Sequence, residues 1–326
     1  MTHTYFSTFI SGFSDVVKDI LRRREKSLKI KLILDGLIIY ESDLKVEKIK
    51  RLPFFNNTFF VIDYTFKKEI TENIPPQGWK VPPDILIGKK TFRIIISKEN
   101  ELQHIAPLKL RQLEDLFAKN LKLNIDRANP DLEVWFLERS EGYSFCGIRL
   151  TKKPSTDKYL QKGELRPELA WILNFLSEPK ATDVFLDPFA GHESIPITRT
   201  QFPFKRIIAS DKNRIEYQIP DTQYKIQKEN WDALNIPLGP NSIDTIVTDP
   251  PWGIFEKINV EEFYPKMFKE FERVIKVGGI LVILTAQKEL LERLIERNNN
   301  FELKEKYNIL VSGKKSGVYK LIRIHS

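Results

Sequence analysis

Apolar residues recur along this 326-residue chain with two different spacings, and each spacing predicts a different element. Short apolar or alternating runs bounded by Gly, Pro, Asn or Asp are typical of strands, whereas apolar residues three and four positions apart are typical of helices. We predict strands over residues 4–9, 29–34, 37–40, 59–66, 91–96, 131–137, 143–150, 184–186, 206–209, 224–227, 243–247 and 280–284. We predict helices over residues 13–24, 108–120, 165–176 and 261–275.

The order of these elements divides the chain into parts. Two α+β stretches come first, separated by a Pro-rich segment at 75–83, and short apolar strands then alternate with helical or polar stretches from residue 184 onward. That alternation predicts an α/β domain with a doubly wound, mostly parallel sheet. We therefore predict a ferredoxin-like α+β domain over 1–75, a second α+β domain over 76–153 and a Rossmann-like domain over 154–326.

An acid follows each of four predicted strands in the C-terminal part. These acids are Asp187, Asp211, Asp232 and Asp249. One such residue would mean little, because Asp is a common helix cap, but ligands of parallel α/β sheets bind where the strands end. Asp211 lies roughly 20 residues after Asp187, where an acid that binds ribose hydroxyls is expected in a dinucleotide-type fold. The four acids together predict a ligand site along one edge of the sheet.

The segment from Asp249 to Gly253 is the most informative of these strand ends. Pro250 and Pro251 have no N–H and cannot continue a strand ladder, so the chain must turn here. Asp249 and the Pro250 carbonyl can accept the two hydrogens of an exocyclic amine, and Trp252 can stack on the ring that bears the amine. The segment also fits an ordinary Pro-rich loop with a buried Trp.

Composition narrows the classes of protein. No apolar run is long enough to span a bilayer, and the first residues lack the charged and apolar regions of a signal peptide. The single cysteine, Cys146, excludes an internal disulfide and a cysteine-rich zinc site, and four scattered histidines argue against a histidine-based metal site. We expect a cytoplasmic monomer without a metal. A net charge of +8 fits a polyanionic partner such as nucleic acid.

Two segments of the second α+β domain carry a resemblance to a known module. Phe92-Arg93-Ile94 and the stretch 124–134, in which Asn129-Pro130-Asp131 leads into an alternating strand, resemble a THUMP domain. THUMP domains are the RNA-binding modules of several enzymes that modify tRNA and rRNA. The resemblance implies that residues 76–153 bind RNA.

The C-terminal motifs resemble a family of enzymes. Asp-Pro-Phe-Ala-Gly at 187–191, an acid after the second strand, Asp-Ala-Leu at 232–234 and Thr-Asp-Pro-Pro-Trp-Gly at 248–253 come in the order seen in S-adenosylmethionine-dependent amino-methyltransferases. The THUMP-containing RNA guanine-N2 methyltransferases are the most similar of these. The resemblance implies methylation of the N2 amine of a guanosine, with tRNA as the expected substrate.

The resemblance also assigns a role to each site residue. The residues implied to bind S-adenosylmethionine are Asp187, Pro188, Phe189 and Gly191 along the methionine moiety, Asp211 at the ribose hydroxyls, Asp232 at the adenine amine, and Asp249. The residues implied to hold the target base are Asp249, Pro250, Pro251 and Trp252.

One residue departs from the family pattern. The family usually carries a second glycine two residues after Gly191, and this chain has Glu193 there, with His192 between. If the loop turns Glu193 outward, cofactor binding survives; if Glu193 faces inward, its charge reduces or abolishes that binding. We expect cofactor binding to be retained.

Three alternatives remain open at this stage. The chain is a non-catalytic RNA-binding protein if Glu193 has abolished cofactor binding. A DNA adenine-N6 methyltransferase would use the same loop chemistry, although the THUMP-like segment argues against it. A protein-glutamine methyltransferase is disfavoured because such enzymes usually open this loop with Asn, and this chain has Asp249.

Overall fold

The computed structural model describes residues 2–25, 27–66, 79–151, 160, 163–213, 225–254 and 258–325. The chain forms two compact units, one made of residues 1–9 and 20–155 and the other of residues 10–19 and 156–326. None of the described helices is both long enough and apolar enough to cross a membrane. The predicted domain boundaries, at residues 75 and 153, lie outside the described residues, so the three-domain division stays a prediction.

The first unit is built on one mixed sheet. Its described strands are β1 (His3–Thr8), β2 (Lys29–Leu34), β3 (Leu37–Ser42), β4 (Asn57–Phe66), β5 (Thr91–Lys98), β6 (Glu101–Leu102), β7 (Asn124–Ile125), β8 (Leu132–Glu138) and β9 (Tyr143–Arg149). They pair in the order β2-β3-β1-β4-β9-β8-β5-β6, and β7 pairs with β5. The described helices of this unit are α2 (Val46–Lys50), α3 (Pro83–Leu86) and α4 (Pro107–Leu121), and α1 (Ser14–Arg24) belongs to it only from residue 20 onward.

This sheet joins strands of the two predicted N-terminal domains. β4 pairs antiparallel with β9, from Phe59 opposite Arg149 to Phe66 opposite Tyr143. The predicted hairpin of β2 and β3 is confirmed, with Gly36 at φ 79° in its turn, a conformation that glycine adopts without strain. Strands within residues 3–66 and 91–149 therefore belong to one hydrogen-bonded sheet.

The second unit is an α/β domain, and the predicted fold class is confirmed. Its strands are β10 (Val184–Asp187), β11 (Arg206–Ser210), β12 (Ile226–Glu229), β13 (Ile243–Thr248), β14 (Ile275–Thr285), β15 (Phe301–Val311) and β16 (Lys314–Arg323). They pair in the order β12-β11-β10-β13-β14-β16-β15. β10 to β14 are parallel, and β15 and β16 add an antiparallel hairpin at one side. The described helices are α5 (Pro167–Leu176), α6 (Ser194–Arg199), α7 (Val260–Val274) and α8 (Lys288–Glu296).

Helices pack on both faces of this parallel sheet. Leu186 and Ile208, on one face, belong to a buried cluster with the α7 residues Phe268 and Phe271. On the other face, the guanidinium of Arg199 from α6 lies 5.0 Å from the centre of the Phe185 ring. Because alternate residues of a strand point to opposite faces, both sides of β10 are buried, as expected for a parallel strand.

Several boundaries differ from the predictions. β14 begins at Ile275, five residues before the predicted start, and the hairpin of β15 and β16 was not predicted. The predicted strand 224–227 is observed as β12 from Ile226, while residue 224 lies outside the described residues. β15 has the burial pattern of a largely exposed strand, so it lacks the apolar run by which strands are recognised in sequence.

Candidate active site

The four predicted acids lie along one edge of the second sheet. β10, β11, β12 and β13 are parallel neighbours, so their carboxyl ends lie on the same side. β10 ends at Asp187, and Asp211, Asp232 and Asp249 follow the other three strands. The strand order places them in the sequence Asp232, Asp211, Asp187, Asp249 along this edge.

Asp187 is the most deeply buried of the four, with 1% of its surface exposed. Its Oδ1 accepts hydrogen bonds from the Thr248 hydroxyl at 2.8 Å and from the Phe189 amide at 3.1 Å. Burial, with a smaller contribution from the nearby charges of Asp249 and Asp211, raises the pKa of Asp187 to about 8 against the two hydrogen bonds, which lower it. The Asp187 carboxyl is therefore held within the sheet edge and is protonated near neutral pH.

The loop after Asp187 contacts α7 through Phe189 and the end of β11 through Gly191. Pro188 is buried, and the ring of Phe189 packs 5.9 Å from that of Phe263. The amide of Gly191 donates to Asp211 Oδ2 at 3.1 Å. Gly191 has φ 46°, and a Cβ added there would be no closer than 3.9 Å to another heavy atom, the Phe189 carbonyl oxygen. The space beside Gly191 is therefore open.

Glu193 is neither turned outward nor left as an uncompensated charge. The residue is 3% exposed, and its Oε2 lies 3.0 Å from the Nζ of Lys228 on β12, which is buried as well. Its φ of 62° is left-handed, a conformation that costs a non-glycine residue about 1–2 kcal/mol. The outward orientation considered from the sequence is therefore wrong, and the buried carboxylate is tolerated because Lys228 neutralises it.

Asp211 and Asp232 lie in a more open part of the edge. Asp211 accepts hydrogen bonds from the amides of Gly191 and Asn213, the second at 2.9 Å. Asp232 accepts from the Leu234 amide at 2.9 Å and from Lys212 Nζ at 2.7 Å. The hydrogen bond from Lys212 is the main reason why the pKa of Asp232 is lowered. Asp232 is therefore a stable carboxylate.

Asp249 and Trp252 contact each other directly. The indole Nε1 of Trp252 donates to Asp249 Oδ1 at 2.8 Å. Burial raises the pKa of Asp249 to about 7, although the hydrogen bond from Trp252 opposes the shift. Gly253 has φ 72°, and a Cβ there would come within 2.7 Å of Val260 Cγ1, so the tight turn requires glycine.

The sequence did not reveal the residues that contact this site from other elements. Lys228 reads as a polar residue of a strand, and nothing in its spacing links it to Glu193. Tyr264 reads as a core position of α7, yet its hydroxyl donates to the Pro251 carbonyl at 3.1 Å. Gln287, just before α8, donates from Nε2 to the Trp252 carbonyl at 2.5 Å. Thr285, which contacts Tyr264 and Gln287, could have been expected near the site, because it ends β14 at the same sheet edge.

Comparisons with known proteins find similar sequences of known function. Residues 204–316 match the family model described as UPF0020, RMKL-like, methyltransferase domain. The U6 snRNA (guanine-N(2))-methyltransferase THUMPD2 of Bos taurus is 29% identical over 171 residues, which cover 50% of this chain and 34% of that protein. The tRNA (guanine(6)-N2)-methyltransferase of Methanocaldococcus jannaschii is 24% identical and covers 97% of this chain and 99% of its own length.

Solved structures show the same fold. The crystal structure of TrmN from Thermus thermophilus has a TM-score of 0.80 and 18% identity, and the match covers 99% of this chain and 100% of that one. The lengths of the sequence relatives differ, since the chain spans about a third of the mammalian THUMPD2 proteins and nearly all of the archaeal enzyme.

The resemblance to guanine-N2 RNA methyltransferases stated from the sequence is confirmed by the sequence relatives, and the solved structure supports the fold. Residues 204–316 match the RMKL-like methyltransferase domain of the UPF0020 model, and the relatives are named as guanine-N2 RNA methyltransferases.

Proposed function

We propose that the chain is an S-adenosylmethionine-dependent methyltransferase that modifies the N2 amine of a guanosine in RNA, with tRNA as the substrate. The observation that carries the proposal is the position of the Asp249–Trp252 pair at the same sheet edge as Asp187 and Asp211. A base-binding loop and a nucleotide-binding edge are thus adjacent. The relatives that act on guanine N2 in tRNA and U6 snRNA support the choice of amine.

The residues of the edge fit the proposed cofactor. Carboxylates accept hydrogen bonds from hydroxyls and amines, and they attract a cationic sulfur. Asp211 is held by backbone amides in a position to accept from the ribose hydroxyls, and Asp232 is a carboxylate suited to the adenine amine. We assign the methionine moiety to the loop at Gly191, where an added Cβ would come no closer than 3.9 Å to a heavy atom outside the neighbouring residues. Asp187 supports this loop through its bond with the Phe189 amide.

The loop residues provide what an aromatic amine needs to react. When bound, S-adenosylmethionine supplies an electrophilic methyl group. The amine is a weak nucleophile because its lone pair is delocalised into the ring, so the protein must orient it and draw on its hydrogens. Asp249 Oδ1 accepts from Trp252, and we assign Oδ2 to one amine hydrogen and the Pro250 carbonyl to the other.

Asp249 also has a pKa suited to a base that takes up the proton released by the reaction. The amine gains a methyl group and loses one proton, and a general base works best when its pKa is near the working pH. The pKa of about 7 brings Asp249 into this range. Trp252, fixed beside the carboxylate, then lies against the base and replaces the stacking lost when the base leaves its helix.

The buried Glu193 is the evidence for a non-catalytic protein, and its ion pair weakens that alternative. A negative charge beside the methionine carboxylate would oppose binding, but Lys228 neutralises Glu193 inside the fold. The non-catalytic reading therefore loses its physical basis. We propose that residues 76–153 contribute the RNA contacts, as the resemblance to THUMP domains implies.

A methylation assay tests the proposed function. Purified protein would be incubated with labelled S-adenosylmethionine and either in vitro transcribed tRNAs, which carry no methyl groups, or duplex DNA. The nucleosides would then be separated and identified by mass. We expect N2-methylguanosine from tRNA with the unaltered protein. Asp249→Asn is the matched control, because it keeps the size of the side chain and an oxygen for Trp252 but removes the carboxylate.

Two results would contradict the proposal. Label appearing as N6-methyladenine in DNA would establish the adenine alternative. Binding of tRNA without transfer of label to any RNA would support a non-catalytic role.

A further inference from the structure

The loop that carries Asp249 has few ways to be held in place. Pro250 and Pro251 have no backbone N–H, so this part of the loop cannot donate hydrogen bonds to the rest of the domain. Its position must be fixed through its carbonyl oxygens and side chains. Donors aimed at those carbonyls would therefore determine where the catalytic carboxylate lies.

The structure supplies such donors from two neighbouring elements. Tyr264, which is fully buried on α7, donates from its hydroxyl to the Pro251 carbonyl at 3.1 Å. The same hydroxyl lies 2.7 Å from the Thr285 hydroxyl at the end of β14. Burial raises the pKa of Tyr264 far above its ordinary value, so the hydroxyl keeps its proton and remains a donor.

The second donor is connected to the first. Thr285 Oγ1 accepts from the Gln287 amide at 2.9 Å, which fixes the backbone just before α8. The Gln287 side chain then donates from Nε2 to the Trp252 carbonyl at 2.5 Å. Tyr264, Thr285 and Gln287, here called the support cluster, thus contact two successive residues of the loop from outside it.

We propose that Tyr264 and Gln287 are positioning residues for methyl transfer, acting through the loop and not on the substrate. The inference rests on the proposed function, because it assigns the task of orienting the amine to Asp249 and Trp252. The contacts to the two carbonyls set the height and tilt of the loop. The Trp252–Asp249 hydrogen bond then sets the direction of the carboxylate.

The physical reason is the sensitivity of the reaction to alignment. Nitrogen, methyl carbon and sulfur must be in line, and a displacement of about 1 Å can reduce a rate by roughly 100-fold. Because proline has no backbone N–H, neither Pro250 nor Pro251 can form a new hydrogen bond that would counteract such a displacement. Removal of one donor of the support cluster should therefore lower kcat more than it lowers the affinity for cofactor or RNA.

Two substitutions remove the donors and keep the packing. Tyr264→Phe deletes only the hydroxyl, and Gln287→Met keeps the length of the side chain without an N–H. Tyr319→Phe is the matched control, since Tyr319 is also fully buried in the same core cluster and its hydroxyl contacts Glu292, away from the loop. The readouts are kcat and KM for tRNA, calorimetric affinity for S-adenosylmethionine, and the ¹⁹F resonance of Trp252 in protein labelled with 5-fluorotryptophan. Trp252→Phe assigns that resonance.

We expect kcat to fall about ten-fold or more in Tyr264→Phe and in Gln287→Met, with both affinities within about two-fold of the unaltered protein. The Trp252 resonance should move in both variants and stay in place in Tyr319→Phe. An unchanged resonance, or a loss of kcat equal to that of Tyr319→Phe, would overturn the inference. The resonance does not depend on catalysis, so it separates a failure of the support cluster from a failure of the proposed function, in which no RNA is methylated.

Discussion

The two halves of the sheet edge use the same residue type in opposite environments. At the inner half, formed by β10 and β13, Asp187 is buried and Asp249 is half-buried, and desolvation by the surrounding protein raises their pKa values to about 8 and about 7. At the outer half, formed by β11 and β12, Asp211 and Asp232 are half-buried and accept hydrogen bonds from backbone amides. Lys212 further lowers the pKa of Asp232.

The difference teaches that position on the fold does not assign a role by itself. All four acids end or follow parallel strands, yet the pKa values of the inner pair are raised into the neutral range, whereas the pKa of Asp232 is lowered. The outer pair is oriented by hydrogen bonds from backbone amides and suits recognition of hydroxyls and amines. We therefore assign the uptake of the proton to Asp249 in the inner half and nucleotide binding to the outer half, while Asp187 supports the cofactor loop.

The largest effect should follow from removing the inner base. In Asp249→Asn we expect kcat to fall about 1000-fold, since general base catalysis contributes roughly 100- to 10,000-fold. The affinity for S-adenosylmethionine should stay within a few-fold, because the outer half remains intact. Rapid-quench rates and calorimetry on the same preparation measure both quantities. Loss of cofactor binding in this variant would show that Asp249 acts in nucleotide binding, contrary to this assignment.

The converse substitution is in the outer half. Asp211→Asn removes a charged acceptor, and hydrogen bonds to charged groups contribute about 1.5–3 kcal/mol, or roughly 10- to 100-fold in affinity. We expect the dissociation constant of S-adenosylmethionine to rise by that factor, while kcat at saturating cofactor changes little. A fall in kcat with unchanged affinity would contradict the assignment of Asp211 to nucleotide binding.

The pH dependence sharpens the comparison. Because burial raises the pKa of Asp249, the carboxyl is protonated below about pH 7 and cannot accept the proton of the amine. We expect kcat/KM to fall about ten-fold for each pH unit below 7 and to level above it. Asp249→Asn should lack this dependence. A profile that breaks near pH 4, the ordinary value for Asp, would show that the carboxyl is not enclosed in solution.

The smallest effect concerns the contact between Trp252 and Asp249. Trp252→Phe keeps an aromatic ring for stacking but removes the N–H that lowers the pKa of Asp249. The break in the pH profile should therefore move to higher pH, by less than about one unit, which corresponds to a hydrogen bond of about 1 kcal/mol. A shift to lower pH would mean that the indole does not stabilise the carboxylate.

Much of the second unit could be predicted from the chain itself. Apolar strands followed by Asp, Gly or Pro identify the ends of β10, β11 and β13, and parallel pairing then brings Asp187, Asp211 and Asp249 to one edge. These features are local, since Pro250 and Gly253 restrict the backbone wherever they occur. Short-range patterns therefore sufficed for the fold class and for the candidate acids.

The features that the sequence did not reveal depend on contacts between residues far apart in the chain. Lys228 neutralises Glu193 from another strand, and Gln287 reaches the loop from the segment before α8. No periodicity links such residues, because side chains meet only after the sheet has assembled. The pairing of β4 with β9, which joins strands of the two predicted N-terminal domains, was missed for the same reason.

The most direct test of the central claim is calorimetric titration of S-adenosylmethionine into the unaltered protein, Glu193→Gly and Lys228→Met. The account predicts a dissociation constant on the order of micromolar for the unaltered protein, and a value within a few-fold in Glu193→Gly. Lys228→Met should bind more weakly, because it removes the cation that lies 3.0 Å from the buried Glu193 carboxylate. Absence of binding in the unaltered protein, with binding restored by glycine at position 193, would contradict the account and mean that this sheet edge no longer serves a methyltransferase.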